Sequence, residues 1–305
     1  MALRGMEDDM IVIEDGNSSL AKVDSGHISK QARRLSIGEL EFALLTRFPR
    51  EDAEEWDRMG IIVGDPAAPV AGVALALDPT REAIETAHAA GANVLLTHHP
   101  VFLDPPAVIS PSYELASAPG VAVYTAISKG VALMNFHTAL DSSVAATRLF
   151  PEMLNFDFER LVEPLAGNDA KGYGALCTVR ASDGTFKLEH LAARCTSVFG
   201  RVPRVWGDRD TAVKRVVVAN GSAGNVVGSC LKHHVDCLIC GEIRYHAALE
   251  ASQAGLCIVE LGHDASELPL VALLAQAVRE AGIPQDGITI IDQSANWASP
   301  DPSRL

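Results

Sequence analysis

VAGVALALDPTREAIETAHAAGANVLLTHHP, residues 70–100, decides the fold. VAGVALALD (70–78) is an apolar run short enough for one buried strand. PTREAIETAHAAG (79–91) reads as a helix, with Asp78 as a suitable N-cap and Pro79 at the first helical position. ANVLLTHHP (92–100) is a second strand, and it ends in two histidines. A shift of 143 residues finds the unit again. VKRVVVANG (213–221) is the strand, SAGNVVGSCLKHH (222–234) the helix and VDCLICGE (235–242) the second strand. Without a gap, Val73 falls on Val216, Val94 on Cys237, and His98–His99 on Gly241–Glu242. Two βαβ units imply mainly parallel strands with helices covering the sheet faces.

The repeat runs on in both halves. A helix over about 112–128 leads to the strand VALMNFH, and one over about 244–254 leads to LCIVELGH. The first strand ends in His137-Thr-Ala-Leu-Asp141 and the second in His263-Asp-Ala-Ser-Glu267. Both are His-x3-acid at the carboxyl end of a buried strand, the edge where open α/β sheets bind ligands. Between the halves, about 151–212, YGALCTVR and the segment after Asp183–Gly184 resemble a hairpin, and KLEHLAARCTSVF reads as helix. This stretch is expected to be a connector. Outward of the repeat, Ser36 and Glu39 make a capping box, and Leu40, Ala43, Leu44 and Phe48 form an apolar stripe that stops at Pro49. Residues 1–34 mix acids, Gly, Ser and Lys with no sustained period and predict a disordered extension; 296–305 predict a tail. The expected organisation is one α/β domain over 35–295, with lobe one about 35–150 and lobe two about 213–295.

Composition narrows the function. The chain carries 25 Lys and Arg against 39 Asp and Glu, a net charge of −14, which argues against counterion-driven nucleic-acid binding. It leaves room for a small phosphorylated ligand, because a metal site reverses the local field. No stretch approaches the roughly 20 apolar residues of a membrane span, and the acidic N-terminus has no signal-like apolar core. The six cysteines have no framework spacing, so a reduced, cytoplasmic protein is expected.

The chemistry-bearing residues are His98, His99, Asp141, His263 and Glu267. Imidazole and carboxylate suit zinc, manganese, iron, cobalt or nickel. Adjacent strand residues point to opposite faces, so His98 and His99 cannot chelate one ion while strand geometry lasts. Where the strand ends and the backbone turns, each can serve a different ion. Asp141 and Glu267 are the bridging candidates, since a carboxylate can span ions about 3.5–4 Å apart. His233–His234 falls on Ala90–Gly91, a helix end away from the ligand edge, and is expected to serve the helix C-terminus. His27, His88 and His190 are not expected to be ligands. Cys237-x-x-Cys240 lies inside a strand without a second CxxC and reads as small buried thiols.

Five motifs in order carry a resemblance: Trp56-Asp57-Arg58-Met59-Gly60-Ile61-Ile62-Val63-Gly64-Asp65, THHPVF (97–102), HTALD (137–141), GEIRYH (241–246) and GHDASE (262–267). Together they resemble the NIF3-like family, whose members are also called GTP cyclohydrolase 1 type 2 homologues. The likeness covers about 36–295, and the short connector resembles the compact members without the large inserted domain. Met59 and Ile62 depart from the usual tryptophan motif, and Asp104-Pro105-Pro106 follows the histidines; neither removes a ligand. The resemblance implies a dinuclear centre held by His98, His99, Asp141, His263 and Glu267. It also implies a two-lobed α/β protomer, commonly a toroidal hexamer. His137 is expected to support Asp141, with direct ligation as the alternative, and Trp56 and Asp57 to pack and orient a loop beside the pocket, with direct substrate contact as the lesser reading. Glu242 and His246 are candidates for proton transfer, with a structural network as the alternative. Two functions follow as expectations: a metal-dependent hydrolase acting on a nucleotide such as GTP, or on a phosphoester, and a non-catalytic metal-binding scaffold or regulatory partner.

Overall fold

In the computed structural model residues 34–180 and 186–298 are described. Residues 1–33, 181–185 and 299–305 lie outside the described residues, and with them His27, the Asp183–Gly184 pair and most of the expected extension and tail. The chain begins with α1 (Ile37–Arg47), β1 (Gly60–Val63), β2 (Val73–Ala76), α2 (Arg81–Ala89) and β3 (Val94–Thr97). It continues through α3 (Ala118–Lys129), β4 (Ala132–Asn135), the short α4 (Thr138–Asp141) and α5 (Val144–Met153). The middle supplies β5 (Phe156–Leu165), β6 (Asn168–Val179), α6 (Leu188–Phe199) and β7 (Arg204–Trp206). The second unit is β8 (Arg215–Val218), α7 (Val227–Lys232), β9 (Cys237–Cys240), α8 (Tyr245–Gln253) and β10 (Cys257–Glu260). The short α9 (His263–Glu267), α10 (Leu270–Glu280) and β11 (Ile288–Ile290) complete it.

The duplicated pattern becomes two sheets. One has five strands in the order β1-β4-β3-β2-β11, the other six in the order β5-β6-β8-β9-β10-β7. In each, the three strands of the repeat are parallel, and an antiparallel strand closes the edge beyond the last of them: β1 beside β4, β7 beside β10. β3 and β9 occupy the positions that the shift of 143 residues assigns them.

Alternation explains how both faces are covered. In β2, Val73 and Leu75 enter one core while Ala74 and Ala76 enter another, against α2 and α3. In β9, Cys237 and Ile239 face the first core, and Leu238 and Cys240 face α7 and α8. The shared core joins the inner faces of both sheets with α1, α5, α6 and α10. Such two-sided burial is what makes parallel strands read as unbroken apolar runs. The capping box of α1 forms as read, Glu39 N–H donating to Ser36 Oγ at 3.1 Å and Ser36 N–H to Glu39 Oε2 at 2.8 Å.

Three expectations change. Thr80, not Asp78, caps α2, its side chain accepting from Ala83 N–H at 3.1 Å; Asp78 is drawn instead to His99. YGALCTVR lies largely within β6, whose hairpin partner is the upstream β5, through a turn at Gly167 (φ 78°). The 151–212 stretch therefore supplies three strands to the second sheet. Finally, β11 returns to the first sheet and pairs in parallel with β2, so the sequence halves and the sheets do not coincide at the C-terminus.

Candidate metal centre

β3 ends at Thr97, and the chain turns there. Thr97 Oγ1 donates to the His99 carbonyl at 2.7 Å, pinning the turn. Freed from strand alternation, the His98 and His99 rings come together, with centroids 4.9 Å apart. His137 and Asp141 arrive from the end of β4 through α4, and His263 and Glu267 from the end of β10 through α9, four residues apart on one helical face. All five residues expected as ligands meet in one cluster. His98 Nε2 lies 3.4 Å from Asp141 Oδ1 and 3.7 Å from Glu267 Oε1. His99 Nε2 and His263 Nε2 each lie 2.9 Å from Glu267 Oε2.

Partners fix each imidazole from behind. His98 Nδ1 lies 3.1 Å from the Phe136 carbonyl, which accepts its proton. His99 Nδ1 is 2.7 Å from Asp78 Oδ1, His263 Nδ1 is 3.1 Å from Glu242 Oε1, and His137 Nδ1 is 3.1 Å from Asp57 Oδ1. In every case Nε2 is left for the cluster. This is the orientation metal-ligating histidines adopt, with the remote nitrogen hydrogen-bonded to a carboxylate or carbonyl. His98 Nε2 is fully buried and has no hydrogen-bond partner among the described residues, a group that an ion would satisfy. Three sets have ligand atoms within 4.8 Å of one another: His98–Asp141–Glu267, His99–His263–Glu267 and His98–His99–His137. The residues fit a divalent cation.

Electrostatics agree. Burial pushes the Glu267 carboxyl up, but the imidazoles of His98, His263 and His99 outweigh it and hold the group well below the usual carboxylate range. For His99, burial opposes the charge, yet Asp78 and Glu267 raise the imidazole to about 10. For His263, the Glu267 hydrogen bond dominates and raises it to about 9. Burial raises Asp141, which also accepts a short hydrogen bond from Asn220 Nδ2.

The Trp56–Asp57 loop is fastened to α4. Asp57 Oδ2 accepts from Thr138 N–H at 2.9 Å and Thr138 Oγ1 at 2.6 Å, while Glu54 N–H donates to Thr138 Oγ1 at 3.0 Å. Burial opposes ionisation of Asp57, but His137 and Thr138 together lower it to about 2. Trp56 remains 55% exposed and meets the His137 ring edge-on at 5.8 Å. Glu242 touches the cluster through His263. His246 is exposed on α8 against Tyr245 and does not line the cavity beside the cluster. His233 caps the C-terminus of α7, and His234 follows in the left-handed region (φ 51°); both lie outside the cluster.

Sequence reasoning missed Asp78 and Asn220. Both lie just past a parallel strand, on the carboxyl edge that supplies the histidines; that edge was the available signal, and the N-cap reading hid Asp78. It also missed Gly221, where φ is 57° and an added Cβ would stand 2.2 Å from Glu267 Oε1. Beside the cluster opens a cavity of 640 Å³ lined by Trp56, Tyr173, Asn220, Asn225, Arg244 and others, with Asp141, His263 and Glu267 among its walls.

Comparison with known proteins places this architecture. The family model described as Duf34/NIF3 (NGG1p interacting factor 3) matches residues 35–296. A Streptomyces coelicolor protein named GTP cyclohydrolase 1 type 2 homolog is 29% identical over 248 residues, covering 80% of this chain and 86% of that protein. A Clostridium perfringens protein of the same name is 27% identical over 228 residues, 74% of this chain and 85% of the other. The crystal structure of a Staphylococcus aureus hypothetical protein superposes with a TM-score of 0.74 at 20% identity, covering 88% of this chain and all (100%) of that one. A Bacillus cereus protein related to NIF3 gives 0.73 at 18% identity, covering 84% and 95%.

Proposed function

This chain belongs to the Duf34/NIF3 family, and from that premise we propose that it is a metal-dependent hydrolase holding two divalent ions and acting on a nucleotide-type substrate. The carrying observation is the division of Glu267 between two sets of donors. Its Oε1 faces His98, on the side of Asp141, and its Oε2 faces His99 and His263. One ion would be held by His98, Asp141 and Glu267, the other by His99, His263 and Glu267, with the carboxylate as bridge. Zinc, manganese, iron, cobalt and nickel all accept this donor set. When bound, such ions supply Lewis acidity toward water and toward the substrate's electrophilic centre.

The chain's own residues position and bind. Asp78, Glu242 and the Phe136 carbonyl hold His99, His263 and His98 in the tautomer that leaves Nε2 free. Glu242 is thus a positioning residue. His246 lies outside the cavity, and we assign it no proton transfer. The Asp57 carboxylate fastens α4, and with it Asp141. The relatives' name supports a nucleotide, and the cavity volume of 640 Å³ lies within the range of small-ligand sites. We further propose a cytoplasmic homo-oligomer, with the hexamer of the resemblance checked by light scattering in solution.

The test begins with elemental analysis of the native protein. Each metal form is then offered GTP and a panel of phosphoesters. Two ions per chain and turnover abolished in Asp141→Ala and Glu267→Ala are expected. Full metal occupancy without turnover, joined to a stable partner in pull-downs, would favour the second reading, a metal-binding interaction protein, for which the family's description as an interacting factor speaks. Turnover that survives both substitutions would sink the hydrolase.

A further inference from the structure

Apart from the imidazoles of the cluster itself, the cavity beside it has acidic and neutral walls with one exception. Of its lining residues only Arg244 is an arginine or lysine. Arg244 lies immediately before α8 and is exposed, and among the described residues its guanidinium has no hydrogen-bond, ion-pair or ring partner. Its neighbours in charge behave otherwise: Arg201 grips Asp264, Arg204 pairs with Glu260 and Lys171 with Asp52. The Asn220 amide is spent on Asp141, and the buried Tyr173 hydroxyl is faced by the Glu54 carboxylate. The Arg244 guanidinium only donates, so a group that only accepts, a phosphate or carboxylate, complements it.

The remaining distinctive wall is Trp56. It is a large aromatic left half-exposed, fixed at its base by Asp57 and touching the His137 ring. That places an apolar plane against His137 at the cluster, and Arg244 lines the same cavity without an ion pair to any of its carboxylates. A flat ring stacked on Trp56 would lie against the cluster, leaving an anion on the same molecule for Arg244.

We propose that Trp56 and Arg244 set the substrate class and its orientation: a planar heterocycle stacks on Trp56 beside the metal donors, and an appended anionic group is held by Arg244. This rests on the hydrolase reading for its chemistry and sharpens it. The bond presented to the cluster belongs to the ring, and the phosphate is a handle; a phosphoesterase would need the reverse.

Equilibrium binding tests it, using the full-length protein in manganese-loaded and chelator-treated forms. The probes are guanosine, guanosine 5′-monophosphate and inorganic phosphate, followed by calorimetry. In the parent the monophosphate should bind about 10–100-fold more tightly than guanosine, as expected for one charge-assisted contact. Arg244→Gln should bring the monophosphate down to the level of guanosine and leave guanosine unchanged. Trp56→Ala should weaken both by one common factor of about tenfold, the scale of a lost base–aromatic stack. Unchanged discrimination in Arg244→Gln would overturn the assignment. So would inorganic phosphate matching the monophosphate only in the manganese form, since the anion would then be sitting on the metals. Neither Trp56 nor Arg244 is a ligand, so the two-point pattern must also appear after chelation. Its presence without turnover in any metal form would remove the hydrolase and keep the site, while its loss with turnover intact would do the opposite.

Discussion

Four imidazoles crowd the centre, and each has one nitrogen committed to an acceptor behind it: Phe136 O, Asp78, Asp57 and Glu242. An imidazole so held can neither rotate nor exchange tautomers without breaking that bond, which keeps Nε2 aimed at the cluster. Asp78→Ala releases His99 while leaving all five proposed ligands in place. Metal affinity, read by competition with a chromogenic chelator, should fall about 10–100-fold with the circular-dichroism spectrum unchanged. The same network predicts how the metal-free protein responds to pH. His99 and His263 are raised to about 10 and about 9 from 6.5. With folded values above the unfolded one, their contribution to stability is complete below about pH 6.5 and disappears as pH climbs through 9 to 10. Chelated protein should therefore lose thermal stability from pH 6.5 to 10, while metal affinity rises over that interval because binding expels those protons. A flat melting curve across the range would contradict both shifts. At this scale the five ligand residues were legible because strand ends and His-x3-acid spacing mark them. Their supports were not: Asp78 carries equally good credentials as a helix cap, and only the fold decides that Thr80 takes that role.

Strands settle the cysteine question. Cys237 and Cys240 are three residues apart in β9, so strand alternation sends them to opposite faces, one into each core. All six cysteines are buried and unbridged. Burial raises the thiols of Cys177, Cys195 and Cys230 to about 12 and pushes Cys240 higher still. A native sample at pH 8 should react negligibly with an aromatic disulfide reagent over minutes, and six thiols should titrate after unfolding; rapid reaction of even two in the native state would contradict the burial. The βαβ units were readable because every strand is apolar on both faces and every helix on one. The long β5–β6 hairpin was not. Its turn at Gly167 opens the polar stretch Gly167-Asn168-Asp169-Ala170-Lys171-Gly172, which has no Asn-Gly or Asp-Gly pair to announce it, whereas Asp183–Gly184 offered such a pair further on.

Across the molecule, the proposed ligands come from two sheets: His98, His99 and Asp141 from the ends of the first, His263 and Glu267 from the end of the second. Metal bound there would tie the sheets together, and it would stabilise the folded chain by about 2.7 kcal/mol when free metal is 100 times its dissociation constant. Chelation should lower Tm, metal should restore it, and Glu267→Ala should remove the difference, since it deletes the group common to two donor sets. Duplication made the two-sheet plan legible in advance. The return of β11 was not, because three residues of β-forming character near a chain end give no clue to which sheet they join. That return has a consequence in time. Gln293, buried just past β11, takes the N–H groups of Leu77 and Asp78 at 2.9 and 2.8 Å across 216 and 215 residues of sequence. On a ribosome adding 5–20 residues per second, β2 emerges about 10–40 s before the segment that closes its outer edge. Throughout that interval the nascent first sheet presents an open strand edge, the kind that recruits chaperones or neighbouring chains. The backbone of Asp78, whose carboxylate supports His99, is locked only after Gln293 has emerged, so the centre is completed later than every strand that supplies its ligands.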